Sequence, residues 1–179
     1  AIAAGKNALY LLPEIALTAQ ITARLKLHFG NDLAVYHSKF NDNERAEVWH
    51  KILKNECKIV IGARSSIFLP FRDLGIIIVD EEHENSYKQY DPAPRYHARD
   101  TAIYLAHLHH AKVLLGSATP SVESYYNAKA KKYGLVQMMN RFGDAQLPEI
   151  NIVDIPEAAR KDEMHTYFST TLLKGIENA

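Results

Sequence analysis

The chain has 179 residues, which is enough for one domain with a sizeable core. Lysine plus arginine and aspartate plus glutamate both total 21, so a strongly basic nucleic-acid module is excluded by composition, although a local basic patch is not. The single cysteine, Cys57, excludes an internal disulfide framework and a cysteine-rich zinc site. The sequence has no long apolar run and no secretory signal, which predicts a soluble cytoplasmic protein with no membrane partner.

Short apolar segments alternate with amphipathic ones along most of the chain. We predict strands at residues 8–12, 33–36, 58–62, 76–80 and 112–116. Each is apolar nearly throughout, which is typical of strands covered on both faces. The stretches between them predict helices at residues 14–29, 42–54, 97–110 and 120–130. This alternation predicts an α/β fold, an open parallel sheet with helices on both faces.

The pattern changes after Gly134. Residues 147–157 contain two prolines and predict a strand, and a charged connector follows them. The stretch from Phe168 to Ile176 predicts a helix that begins at Ser169 or Thr170. We therefore predict a first domain at residues 1–147 and a second segment at residues 148–179.

Polar residues follow each of the five predicted strands. In open parallel sheets, ligands bind beyond the carboxyl ends of the strands, so these residues converge on one edge. In chain order, the groups are Pro13-Glu14, His37-Ser38, Gly62 to Ser66, Asp80 to His83, and Ser117 to Thr119.

Three carboxylates, Asp80, Glu81 and Glu82, follow the fourth predicted strand and precede His83. Clustered carboxylates repel one another unless a cation offsets them. Mg²⁺ favours one or two carboxylates together with phosphate oxygens and water, and a second carboxylate can then orient or deprotonate an attacking water. A solvated acidic loop is the alternative that these residues alone leave open.

A zinc protease motif is excluded by spacing. A second histidine would have to stand at Tyr87, and the inverted motif would need one at Val79. The histidines His107, His109 and His110 have no nearby acid or cysteine set, so we interpret them as surface residues.

The sequence DEEH at 80–83 and SAT at 117–119 resemble the Walker B and third motifs of superfamily-two helicases. Five segments together are similar to a narrower family, the bacterial primosomal helicases of replication restart. They are LLPEIALT (11–18), YHSKFNDNER (36–45), GARSSIFLPFRDLG (62–75), DEEHENSYKQYDPAPRYHARD (80–100) and GSATPSVES (116–124). DEEH and SAT occur in many ATPases, whereas GARSSIFLPF and YKQ…RYHARD are far more specific.

The resemblance implies a role for each residue of these motifs. Asp80 would hold Mg²⁺ directly or through water, Glu81 would be the general base, and Glu82 and His83 would link the nucleotide site to the DNA side. Hydrolysis would be coupled to movement between lobes by Ser117, Ala118 and Thr119. The residues along the DNA path would be Pro13, Glu14, Thr18, Arg64, Ser65 and Ser66.

Aromatic and cationic residues alternate in the stretch after DEEH, where Pro92 and Pro94 discourage a helix. Aromatic faces stack on unpaired bases and cations follow phosphates, without reading sequence. The resemblance implies a loop that senses DNA and signals to the ATP site. The predicted DNA-binding residues are Tyr87, Lys88, Tyr90, Arg95, Tyr96 and Arg99. For Tyr87 and Tyr96, packing against the sheet is the alternative.

The resemblance implies a RecA-like P-loop helicase lobe in an ATP-dependent DNA helicase of the bacterial cytoplasm, which would couple ATP hydrolysis to translocation on DNA and unwinding during primosome assembly. The implied cofactors are ATP and Mg²⁺, with zinc expected only in parts outside this chain. The implied partners are forked or single-stranded DNA, other primosome proteins and single-strand-binding protein.

One motif of the family is absent from these residues. The only Gly-Lys pair, Gly5-Lys6, is followed by Asn7 rather than Ser or Thr, so the chain has no Walker A segment. We expect a piece of a larger protein, with motifs Ia to III of the first lobe, the connector and the start of the second lobe. Alone it should be inactive. Beside the fourth strand we expect a gap, or strands that close up or pair with another molecule. The alternatives are another superfamily-two translocase, or a non-catalytic nucleic-acid or partner-binding domain.

Overall fold

A computed structural model of the chain describes residues 1–37, 39–140 and 150–178. It divides into two compact units, Ala1–Leu135 and Val136–Ala179. The predicted boundary near residue 147 lies outside the described residues and stays a prediction.

The first unit is built on a five-stranded sheet with the order β2-β3-β1-β4-β5, in which every pair is parallel. The strands are β1 (Asn7–Leu11), β2 (Leu33–Tyr36), β3 (Ile59–Gly62), β4 (Leu74–Val79) and β5 (Lys112–Leu115). The predicted open parallel sheet is confirmed, and each predicted strand end lies within two residues of the observed one.

Four α-helices connect or follow these strands: α1 (Ala19–Phe29), α2 (Asp42–Leu53), α3 (Ala98–Leu108) and α4 (Val122–Lys129). Side-chain caps fix where three of them begin. Thr18 caps α1, Ser121 caps α4, and Asn41 forms a reciprocal capping box with Glu44 at α2. Helix α1 begins at Ala19 rather than at residue 14, because the cap lies at Thr18.

Successive side chains of a strand point to opposite faces of the sheet, and β1 shows both faces buried. Leu9 and Leu11 belong to a core cluster that includes residues of α2 and α3. Ala8 and Leu12 belong to a second cluster, against which residues of α1 pack. The prediction of helices on both faces is therefore confirmed.

Strand β4 has a neighbour on each side, since β1 and β5 both pair with it. Of the alternatives expected beside β4, the described residues show closed-up strands and not a gap. The two edges of the sheet are β2 and β5. The end of β4 thus lies inside the sheet, and residues following it are held between two other strand ends.

The second unit contains α5 (Ile155–Arg160), the short strands β6 (Met164–His165) and β7 (Phe168–Ser169), and α6 (Thr170–Glu177). The predicted start of the last helix is confirmed, because Ser169 caps α6. The strand predicted over residues 147–157 is wrong for residues 150–157. Asp154 caps a helix there, and Pro156 lies in its first turn, where a proline suits a helix.

Residues 147–149 of that predicted strand lie outside the described residues. In the described part of the chain, no helix has both the length and the apolar character needed to cross a membrane.

Candidate active site

The backbone after β4 is held to the strands on either side of it. The N–H of Asp80 donates to the carbonyl of Leu11 at 3.0 Å, and the N–H of Glu82 donates to the carbonyl of Gly116 at 3.0 Å. Because these are the ends of parallel strands, Asp80 and Glu81 lie at the carboxyl edge of the sheet, as the sequence predicted.

The carboxylate of Asp80 accepts two hydrogen bonds. The phenol of Tyr10 in β1 donates to Oδ2 at 2.8 Å, and the N–H of Glu81 donates to Oδ1 at 3.1 Å. Burial raises the pKa of Tyr10 well above its ordinary value, and the hydrogen bond and negative charge of Asp80 raise it further. Tyr10 is therefore a phenol rather than a phenolate, and it donates to the carboxylate.

A second phenol holds the backbone of the same turn. Tyr87 is buried, and its Oη lies 2.6 Å from the carbonyl oxygen of Asp80 and 3.0 Å from that of Leu11. Burial, followed by the charge of Asp80, raises the pKa of Tyr87. The DNA contact predicted for Tyr87 is wrong, because a buried ring offers no face for a base to stack on.

Glu81 and His83 form the more open part of the turn. The φ of Glu81 is +46°, a region that residues with side chains seldom adopt and that costs about 1–3 kcal/mol. Its carboxylate lies 3.6 Å from Nδ1 of His83. The same Nδ1 lies 2.7 Å from Oγ of Ser117, and Nε2 lies 3.4 Å from Oγ1 of Thr119. The two predicted motifs are thus joined through His83.

Glu82 faces the interior and has almost no exposed surface. Its carboxylate accepts hydrogen bonds from Nη1 of Arg99 at 3.1 Å, the N–H and hydroxyl of Ser121 at 2.7 and 3.1 Å, and the hydroxyl of Ser124 at 2.8 Å. Burial by itself raises the pKa of Glu82, but these hydrogen bonds outweigh it and lower the pKa below its ordinary value. Glu82 therefore joins the β4 turn to α3 and α4 as an ionised carboxylate.

Arg99 makes its contacts within the protein. It is buried, its Nη1 also donates to the hydroxyl of Ser121 at 2.7 Å, and its Nε donates to Asp100 at 2.9 Å. Three of the five N–H donors of Arg99 are thus used by Glu82, Asp100 and Ser121. This burial and pairing disfavour the DNA contact predicted for Arg99, which stays untested.

The 88–97 loop projects from the sheet edge. Lys88 and His97 form an antiparallel bridge, and the N–H of Gln89 donates to the carbonyl of Tyr96 at 2.8 Å. The amide of Gln89 donates to the carbonyls of Pro92 and Pro94, at 2.8 and 3.1 Å. All six residues from Tyr90 to Arg95 are exposed, so the tip of the loop is free to meet a partner.

Two residues support the base of this loop. Nη1 of Arg64 donates to the carbonyls of Ser86 and Lys88, at 3.3 and 3.0 Å. The ring of Tyr96 meets that of Phe68 edge to face, with centroids 4.8 Å apart. Arg64 therefore orients the loop through its backbone, and Tyr96 is half-buried at its base.

The residues predicted to line the DNA path differ in exposure. Glu14 and Thr18 are exposed, whereas the side chain of Pro13 is buried. Ser65 is half-buried, and Ser66 is fully buried, with no hydrogen-bond partner for its hydroxyl. The DNA contact predicted for Ser66 is wrong.

Glycine is required at position 62, where β3 ends and the segment 62–66 begins. A Cβ at Gly62 would lie 1.8 Å from Oγ of Ser66 and 2.7 Å from the carbonyl oxygen of Tyr36. Ser66 therefore packs against the end of β3 instead of facing solvent.

Three residues of the site were not predicted from the sequence: Tyr10, Ser121 and Ser124. Tyr10 is the only aromatic residue of β1, and a phenol in a buried aliphatic strand needs a hydrogen-bond partner. Ser121 follows Pro120 at a helix start, which marks it as a cap but does not reveal its second role toward Glu82.

Asp80 and Glu81 are the residues that could hold a magnesium ion. In the described residues, no group of three or more His, Cys, Asp or Glu is arranged as a complete metal site. Mg²⁺ bound with a nucleotide needs only one or two carboxylates, since phosphate and water supply the other ligands. Each Asp80 oxygen accepts one protein hydrogen bond and keeps a second lone pair, so the residues fit such an ion.

The sequence matches the model of the DEAD/DEAH box helicase family over residues 1–128. It is 45% identical over 176 residues to the replication restart protein PriA of Bacillus subtilis, covering 98% of this chain and 22% of that protein. It is 43% identical over 175 residues to PriA of Chlamydia trachomatis, covering 98% of this chain and 23% of that protein. The chain thus spans less than a quarter of the length of either relative.

Among solved structures, the C-terminal domain of S. cerevisiae Dbp5 aligns with 74% of this chain and 72% of its own, at 12% identity and a TM-score of 0.49.

Proposed function

Because this chain belongs to the DEAD/DEAH box helicase family, we propose that it forms much of the first motor lobe of an ATP-dependent DNA helicase of replication restart. The observation that carries the proposal is one arrangement at the carboxyl edge of the sheet. Asp80 and Glu81 follow a central strand, and His83 joins them to Ser117 of the next strand end. The PriA relatives support replication restart as the setting.

The roles proposed for Asp80 and Glu81 follow from the chemistry of phosphoryl transfer. That chemistry depends on positioning and charge neutralisation more than on covalent steps. Asp80, held by two hydrogen bonds, would hold Mg²⁺, and that ion would supply charge neutralisation at the phosphates of ATP. Glu81 is half-exposed beside Asp80 and acts as the general base toward water.

The coupling residues act through the contacts of the same turn. His83 forms a hydrogen bond with Ser117 and approaches Thr119, with Ala118 exposed between them. A movement of His83 on ATP hydrolysis would therefore be passed directly to the segment 117–119. Glu82 acts as a positioning residue rather than a catalytic one, because it is buried and joined to Arg99.

DNA contacts are proposed for the exposed part of the predicted set. Tyr90 and Arg95 lie at the tip of the 88–97 loop, and Lys88 lies at its base. A stacking ring with flanking cations binds single-stranded DNA without sequence preference. The further proposed contacts are Glu14, Thr18, Ser65, the exposed part of Tyr96, and the guanidinium of Arg64 where the carbonyls of Ser86 and Lys88 leave it free.

The setting of the whole protein is proposed from the relatives. Forked or single-stranded DNA is the substrate, other primosome proteins and single-strand-binding protein are the partners, and the bacterial cytoplasm is the location. ATP and Mg²⁺ act at this lobe, and zinc binds in a part of the protein that these residues do not include.

The proposal is tested with Glu81→Gln in the whole protein. Removing the base should lower ATP turnover by about 100-fold or more while nucleotide affinity changes little. Unwinding of a forked DNA should be lost with the turnover. Glu84→Gln, the same change three residues along the chain, is the control and should keep both activities. Normal turnover in Glu81→Gln would refute the proposed site.

A further inference from the structure

Tyr10 is the side chain that contacts the carboxylate of Asp80 from outside its own turn. It lies in β1, which pairs with β4 so that Tyr10 stands beside Ile78. Its hydroxyl reaches past the end of β4 and donates to Oδ2 of Asp80 at 2.8 Å. The ring packs against the α1 side of the sheet, so backbone pairing and packing both fix the position of this phenol.

The hydrogen bonds of Asp80 define the orientation of its carboxylate. Oδ2 accepts from Tyr10, and Oδ1 accepts from the N–H of Glu81. A carboxylate held by only one of these donors is free to rotate about its last bond. When both donors are in place, the Asp80 carboxylate has one orientation, and its remaining lone pairs point in a fixed direction.

The two tyrosines of the site have different tasks. Tyr87 contacts the carbonyl of Asp80 and therefore holds the backbone of the turn. Tyr10 contacts the carboxylate itself. Loss of the Tyr10 hydroxyl would leave the turn intact and release only the carboxylate of Asp80.

We propose that Tyr10 is a positioning residue for the binding of a divalent cation by Asp80. The phenol holds the carboxylate in one orientation, so that its free lone pairs meet a cation that arrives with a nucleotide. Residues that orient a metal-binding side chain in this way commonly change metal affinity or activity by about 10- to 100-fold. The inference deepens the proposed function and rests on Asp80 as the cation-binding residue.

The test is the variant Tyr10→Phe in the whole protein, which keeps the ring and removes only the hydroxyl. Binding of a fluorescent ADP analogue is followed while Mg²⁺ is titrated from zero. The Mg²⁺ concentration at half-maximal effect should rise about tenfold. Binding without Mg²⁺ should equal that of the wild type, which also shows that the variant is folded.

Tyr36→Phe is the matched control. Tyr36 lies in the same sheet, and its hydroxyl accepts a hydrogen bond from Nε of Arg45 at 3.2 Å, away from Asp80. This variant also loses one phenol hydrogen bond, but its Mg²⁺ midpoint should not change. A purely structural role of Tyr10 would weaken nucleotide binding with and without Mg²⁺ alike, and that outcome overturns the inference.

Asp80→Asn separates failure of the inference from failure of the proposed function. If Asp80→Asn raises the Mg²⁺ midpoint and Tyr10→Phe does not, the positioning role is overturned while the cation site stands. If Asp80→Asn also leaves the midpoint unchanged, the proposed cation site is wrong and the role of Tyr10 is overturned with it.

Discussion

The guanidinium of Arg99 lies 3.1 Å from the carboxylate of Glu82, and both side chains are buried. This pair joins the first turn of α3 to the end of β4, and therefore the base of the 88–97 loop to the proposed active site. A buried ion pair contributes little when complete, but the loss of one partner leaves an uncompensated charge in the interior.

We expect Arg99→Ala to lower the free energy of unfolding by about 3 kcal/mol, because Glu82 would keep its charge and lose its cation. Urea denaturation of the chain measures this change. The control is Lys51→Ala, which breaks an exposed pair with Glu47 on α2 and should not move the midpoint measurably. Equal midpoints for the two variants would show that Glu82 does not depend on Arg99.

We expect His97, at the start of α3, to make the free energy of unfolding depend on pH. Burial of the ring is the main cause of a lowered pKa for His97, with Asp100 opposing it and Arg99 reinforcing it. The unfolded chain therefore takes up the proton more readily than the folded one. The associated stability is fully present above the ordinary histidine pKa, about 6.5, and is lost as pH falls from there through the lower pKa of the folded state.

His97→Phe keeps a partly buried ring and cannot take up that proton. Its unfolding free energy should therefore fall less steeply than that of the wild type as pH drops below about 6.5. The measurement is urea denaturation of both proteins across this pH range. Curves that stay parallel would rule out a role for His97.

Strands β1, β2 and β3 were predictable because burial on both faces leaves a local mark, an unbroken apolar run. Strand β5 carries a similar run, although Leu114 in it is 55% exposed. Helix α5 was not, because Ile150, Ile152 and Ile155 suggest a strand. The cap at Asp154 and the proline after Ile155 decide the conformation instead. The place of β4 between β1 and β5 was also hidden, because pairing between strands leaves no mark in either segment alone.

Some residues of the candidate site could also be predicted from the sequence, and others could not. The position of Asp80, Glu81 and His83 follows from their place after a buried strand. Exposure in the aromatic and cationic stretch does not follow from composition, since Tyr87 and Tyr90 are the same residue type in similar surroundings. Tyr87 is buried and donates hydrogen bonds to the carbonyls of Leu11 and Asp80, whereas Tyr90 is 66% exposed. Those partners are distant in sequence, so only the folded structure separates the two roles.

For the 88–97 loop, we expect Tyr90→Ala and Arg95→Ala to act on DNA stimulation of the ATPase in the whole protein. Stacking of one base contributes about 1–3 kcal/mol, so the DNA concentration for half-maximal stimulation should rise about tenfold in Tyr90→Ala. Basal ATPase should stay near the wild-type rate, because neither side chain contacts Asp80 or Glu81.

Tyr104→Ala is the control for this loop. Tyr104 is exposed to the same degree as Tyr90, 65% against 66%, but lies on α3 outside the loop. It should leave DNA stimulation unchanged. An equal loss of basal and stimulated activity in Tyr90→Ala would point to damaged folding rather than to a lost DNA contact.

The 179-residue chain by itself should fold and should not hydrolyse ATP. Folding is expected because the five-stranded sheet is continuous and core clusters cover both faces of its central strands. Circular dichroism and a cooperative urea transition would verify it. Turnover is not expected, because these residues contain no glycine-rich loop with a lysine to hold the β- and γ-phosphates.

The one lysine that follows a glycine cannot replace that loop. Lys6 lies 3.7 Å from Asp73, and Asn7 after it is buried and donates to the carbonyl of Cys57 at 3.1 Å. Asp80 and Glu81 are therefore in place with no positioned phosphate to act on. The measurement is magnesium-dependent ATPase of the purified chain beside the same chain with Glu81→Gln. Activity that is present in the first and absent in the second would show that these residues position ATP without the loop.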